Sequence, residues 1–278
     1  MIQVLTTRFV LALALIVFYV TQLAAATDRA KIEAFLTTTG FDVALESIRL
    51  GAESAPNMLG IEADAFGSNW VRMTSKVFKT DVMHGMAVDI LEQTLTPDLL
   101  DHAAEFYASD LGQRLVSAEN ASHMEEDDAA KTEAGEAIVA GLVRHSASRL
   151  ETLKRMNDAI GSTDHAIRAI HEVQVRFLMA AAGAGVIELT LDEADLRALL
   201  QSQSGDLRQS LLTSSLSGAA YTYQAFSDEE VIAYAEALEH PMMRRVYELM
   251  NAVQFEITAN RFEALAQEMA KLQPSTDL

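Results

Sequence analysis

Only four prolines, Pro56, Pro97, Pro241 and Pro274, interrupt this chain of 278 residues, and that sparsity is the tightest constraint on its fold. Proline breaks a helix interior because it lacks the N–H and its ring clashes with the preceding turn. Four such stops leave room for many long helices. Ala, Leu, Glu and Met fill the intervals, all favourable helix formers, and alternating β-branched runs of strand length are missing. The sequence therefore predicts an all-α, multi-helix bundle. Cysteine is absent, which excludes disulfides, thiolate metal sites and thiol chemistry. Apolar packing must hold the chain together, and about 250 residues are enough for one or two sizeable cores.

Residues 1–26 are expected to be a signal peptide. Phe9 to Ala26 carries no charge, follows a short segment containing Arg8, and ends with Ala24 and Ala26 at the minus-three and minus-one positions of a cut before Thr27. Thr21 and Gln22 shorten the strongly apolar part, which is brief for a bilayer span. Nothing later approaches one: Phe177 to Ile187 is far too short and ends at Glu188. The expected location is periplasmic or secreted, with no membrane span once the leader is removed.

The formal net charge is −19, and losing Arg8 with the leader makes it −20. That balance argues against nonspecific nucleic-acid binding, which needs clustered Lys and Arg to neutralise phosphates. It equally disfavours an electrostatic hold on anionic lipid, and it suits solubility and a basic or metallic partner.

Helix starts and stops can be placed along the rest. A helix over 28–38 should stop at Gly40, and a second should cover 41–50 before the break at Gly51 to Pro56. Thr96-Pro97-Asp98 reads as an N-cap followed by proline at the first helical position. Ser227-Asp228-Glu229-Glu230 reads as a capping box. Ala118 to Met156 reads as a long charged helical region. Asn157 to Thr163, containing Gly161, is the best boundary and divides an N-terminal half, 27–157, from a C-terminal half, 163–273. A further break is expected at Gln201 to Asp206.

Shifting the chain by 131 residues lays Leu95 to Ala121 over Phe226 to Ala252. Thr96 meets Ser227, and Ala104, Glu105, Arg114 and Ala121 meet the identical residues Ala235, Glu236, Arg245 and Ala252. Cap, break and following apolar register coincide, so the bundle is expected to be built from two diverged helical repeats, each a capped helix, a tight turn and a second helix.

Leu95-Thr96, Phe106-Tyr107 and Gly112-Gln113-Arg114 give the first copy a pattern that resembles a bacterial exported domain-of-unknown-function family, number 2059. The second copy departs from it, with Ala237-Leu238 in place of Phe-Tyr and Met243 in place of the glycine. The resemblance implies a helical exported protein and carries no catalytic residues with it.

Phe106 and Tyr107 are expected to wedge the two helices, the phenol reaching water or a carbonyl, while Gly112 permits close approach or a bend. Tyr107, Gln113 and Arg114 could instead border a ligand pocket. Glu119, His123 and Asp127 fall at four-residue spacing and could offer oxygen and imidazole ligands to a metal, although HMEEDD reads more simply as a solvated acidic face. The glycines of AAGAGV, Gly183 and Gly185, lack a P-loop lysine or a dinucleotide fingerprint and read as close helix packing. No zinc-protease, EF-hand or nucleophile-elbow pattern occurs, and nothing calls for a cofactor. The expectation is a non-enzymatic envelope interaction or scaffold protein; the alternative is a periplasmic small-molecule or divalent-metal binding protein.

Overall fold

The computed structural model describes residues 29–52, 55–60, 68–125, 127–145 and 147–271. The expected signal peptide, 1–26, lies outside the described residues. Within them the architecture is all-α and multi-helix. Helix α1 covers residues 29–38, then α2 Phe41–Gly51, α3 Ala55–Met58, α4 Ser68–Val77, α5 Thr80–Thr94, α6 Pro97–Tyr107 and α7 Asp110–His123. The order continues with α8 Asp128–His145, α9 Ala147–Ile160, α10 Thr163–Gly183, α11 Glu193–Ser202, α12 Ser204–Thr222, α13 Asp228–Glu239 and α14 Pro241–Ala270.

Helix α14 is the axis of the molecule. Its 30 residues span about 45 Å, and α4, α5, α6, α9 and α10 all pack on it. It can serve them because buried positions run round much of its circumference: Met243, Val246, Met250, Val253, Ile257, Phe262, Leu265, Ala266 and Met269. Phe262 meets both Phe78 of the α4 end and Phe177 of α10 edge-on, at 5.6 and 5.3 Å between ring centroids. Elsewhere α8 pairs with α12 and α9 with α13. One continuous cluster of buried apolar side chains runs from Ile32 to Met269 and draws on both sequence halves.

The caps show how local chemistry sets these pieces. Ser227 accepts from the Glu230 amide while the Glu230 carboxylate accepts from the Ser227 amide, completing the expected capping box. Thr96 has the extended backbone of an N-cap and Pro97 the first helical place, but the Thr96 side chain makes no capping hydrogen bond. The boundary at Asn157 to Thr163 falls where α9 ends, and Ser162 caps α10 by accepting from the His165 amide.

The charged helical region from Ala118 to Met156 comprises parts of three helices, because α7 ends at His123 and the chain turns before α8 begins at Asp128. Consecutive acidic side chains are unfavourable at a helix C-terminus, where the backbone dipole is already negative, and favourable at the next N-terminus; Asp127 accordingly accepts from the Ala130 amide. Gly183 and Gly185 do not mark close packing, since a Cβ at either would meet nothing within 4 Å. Gly185 has φ +73° and ends α10 in a left-handed cap, with the Val186 amide donating to the Ala181 carbonyl and the Gly185 amide to that of Ala182.

The two windows of the expected repeat each form a helix, a tight turn and a second helix. Ala108-Ser109 joins α6 to α7, and His240 alone joins α13 to α14. The second helices differ greatly, 14 residues in α7 against 30 in α14.

Candidate functional site

At the elbow between α6 and α7 the backbones approach so closely that a Cβ on Gly112 would lie 2.7 Å from the Cα of Tyr107. Only glycine fits there. The elbow is sewn shut by Ser109, which accepts from the Gly112 amide, and by the Gln113 side chain, which donates to the Tyr107 carbonyl at 2.6 Å. Gln113 is therefore occupied in holding the turn.

This turn drives Tyr107 inward. It is 3% exposed, and the contacts of its hydroxyl are with other phenols, where the sequence suggests water or a carbonyl. It lies 3.1 Å from the hydroxyl of Tyr234 on α13 and in hydrogen-bond contact with that of Tyr247 on α14. Tyr234 and Tyr247 are themselves 3.1 Å apart, so three hydroxyls form a triangle. Glu119 of α7 completes the arrangement: its Oε1 lies 2.8 Å from the Tyr234 hydroxyl and accepts from Tyr223, the residue just past α12, at 2.7 Å. Phe106 stacks nearly parallel to Tyr234 with centroids 5.7 Å apart, closing one side.

Burial sets the electrostatics. It pushes Glu119 above the usual carboxylate range, and the hydrogen bonds from Tyr223 and Tyr234 only partly oppose it. Burial also holds the Tyr223 and Tyr234 phenols well above their ordinary value. Among the described residues none of the ion pairs includes Glu119. The neighbouring cations are engaged elsewhere. Arg114 pairs with Glu230 at 2.5 Å and lies over the Phe226 ring at 5.6 Å. Arg149 binds Asp228 and the carbonyls of Tyr223 and Phe226.

The sequence-derived residues thus separate. Tyr107 and Glu119 meet through Tyr234, Gln113 and Arg114 flank them, and His123 and Asp127 stand apart. His123 is exposed; crowding around its ring and then the Lys131 ammonium hold its pKa below the ordinary value. Asp127 lies beyond the end of α7 and so does not share a helical face with Glu119. Among the described residues no group of three or more His, Asp or Glu side chains is arranged to hold a metal ion.

Tyr223, Tyr234 and Tyr247 were missed by sequence reasoning. Four of the six tyrosines in the chain converge from positions up to 140 residues apart. The available signal was Tyr234, which shares the apolar face of α13 with Val231, Ala235 and Leu238; a buried phenol needs a partner.

A second feature lies between α8 and α12. A shallow groove of about 360 Å³ runs between them, lined by Glu136, Val139, Ala140, Leu212, Leu216 and Ser217 among others. Leu212 is 47% exposed, and Val143, one helical turn beyond Val139, is 63% exposed.

Residues 81–140 match a family described as "Uncharacterized protein conserved in bacteria (DUF2059)". That stretch contains most of α5 to α8, and with them Tyr107 and Glu119. Tyr223, Tyr234 and Tyr247 lie outside it, as does the α12 wall of the groove. Comparison with curated proteins and with solved structures gives no match. No helix among the described residues is long and apolar enough to cross a membrane.

Proposed function

We propose that this is an exported, non-enzymatic bacterial envelope protein that binds a protein partner along the α8–α12 face. The observation that carries this reading is the groove with exposed Leu212 in its lining, continued on α8 by exposed Val143 one helical turn beyond Val139. An apolar-lined groove between two helices suits the apolar stripe of a partner helix. Glu136 at the groove and the net charge of −19 call for basic residues flanking that stripe. The polar groups of the Tyr107–Glu119 cluster are spent on one another inside the fold, which supports a structural use for them. In this reading the two helix pairs, α6–α7 and α13–α14, descend from one duplicated unit. The uncleaved chain carries its own export signal in residues 1–26.

The partner chemistry can be tested with defined probes. An amphipathic helical peptide with lysines beside a leucine stripe is titrated into the mature protein and followed by fluorescence anisotropy. Saturable, salt-sensitive binding is expected, weakened about tenfold or more by Leu212→Asp through loss of one buried leucine contact. The same peptide with glutamates in place of lysines is expected not to bind. Equal binding of both peptides, or no effect of Leu212→Asp, would contradict the reading.

A further inference from the structure

Five hydrogen-bond contacts link the buried cluster: Tyr223 and Tyr234 to Oε1 of Glu119, and the three sides of the triangle formed by Tyr107, Tyr234 and Tyr247. Each phenol brings one proton, and each proton fills one contact. An ionised carboxylate brings none. Four protons then serve five contacts, and one side of the triangle is left as two oxygens facing each other with nothing between them. A protonated Glu119 supplies the fifth. Its hydroxyl donates to Tyr234, the Tyr234 proton turns into the triangle, and the triangle closes as a ring while Tyr223 still donates to Glu119.

We propose that Glu119 is a neutral carboxylic acid in the folded protein and that its proton locks the clamp joining α7 to α6, α12, α13 and α14. The raised position of the Glu119 carboxyl, caused first by burial, agrees with the proton count. Among the described residues no cation pairs with it, and the charged groups on the surrounding elements are engaged with other partners. Arg114 on α7 is paired with Glu230 of α13, Arg149 on α9 with Asp228, and Asp42 of α2 with His84 of α5. Lys131 of α8 is turned to the Ser122 carbonyl at 2.7 Å, and Arg245 of α14 pairs with Glu248. His123, on α7 itself, is exposed.

The device works in one direction. A carboxyl whose folded pKa lies above its unfolded one contributes stability that is complete below the unfolded value and is lost as pH rises through the folded value. The clamp is therefore tightest in mild acid and loosens toward alkaline pH, opposite to an acid bound by an arginine.

The test uses the full mature chain labelled with ¹³C at glutamate carboxyl carbons, the Glu119 resonance being assigned by through-bond correlation in the wild-type protein. We expect it to titrate above every other resolved glutamate. Tyr247→Phe distinguishes the proton count from burial alone. It removes two contacts and one proton, leaving three contacts for the three phenols that remain, so an ionised Glu119 leaves no contact bare. Its titration should shift downward, whereas burial alone would leave it unchanged or send it upward once the nearby Tyr247 hydroxyl is gone. Glu119 titrating with the surface carboxylates, or a Tyr247→Phe shift that is absent or upward, would overturn the proposal.

Discussion

Gly112 and Tyr107 are read best together. The glycine admits the Tyr107 backbone at a distance no side chain tolerates, and that approach turns the phenol into the core. Gly112→Ala should therefore cost about 2 kcal/mol of stability, the price of forcing one methyl into a packed elbow. Urea unfolding would measure it, and a loss within the scatter of ordinary surface substitutions would contradict the geometry. The aromatic pair and the glycine were visible as a packing motif because they lie within seven residues of one another. Their partners were not: Tyr223, Tyr234 and Tyr247 come from elements far along the chain, and nothing local announces which hydroxyls will meet. Spacing alone would put Asp127 on the helical face of Glu119, whereas the helix ends at His123 and the Glu119 carboxyl turns inward to the tyrosines.

Helix ends were legible where a capping side chain carries its own chemistry, and less so at Gly185, whose left-handed cap of α10 reads in the sequence as packing. Ser227 and Glu230 form the expected box, and Ser227→Ala is expected to cost about 1 kcal/mol by calorimetry or urea unfolding. The interhelical ion pairs were not legible, since forty acidic residues offer too many partners to choose among. Arg176 on α10 grips Glu263 of α14 with two hydrogen bonds of 2.8 Å and reaches Glu256 at 2.9 Å. The bidentate pair is partly sheltered, so Arg176→Gln should lose about 1–2 kcal/mol near neutral pH. The arginine holds the Glu263 carboxyl below its ordinary range. Its contribution is thus full above that range and disappears as pH falls through the lowered value. The difference between wild type and Arg176→Gln should shrink in acid; a constant difference would mean that charge pairing is not its source.

At the scale of the molecule, helix content followed from proline sparsity and composition, while the arrangement of helices did not. Nothing in the periodicity singles out α14 as the shared axis, because its apolar positions spread around the helix instead of forming one stripe. The 27–157 and 163–273 halves contribute to one buried cluster. If residues 1–26 direct export as proposed, the protein recovered from the native host's envelope fraction should begin at Thr27, which N-terminal sequencing would show. The binding face is tested most directly in that same compartment, with a photo-crosslinking residue placed in turn at Leu212, Val143 and Ile232, the last a 40% exposed control on α13. The proposed interaction predicts one and the same discrete adduct from Leu212 and Val143 and none from Ile232. Equal crosslinking from all three positions, or none from the groove, would contradict it.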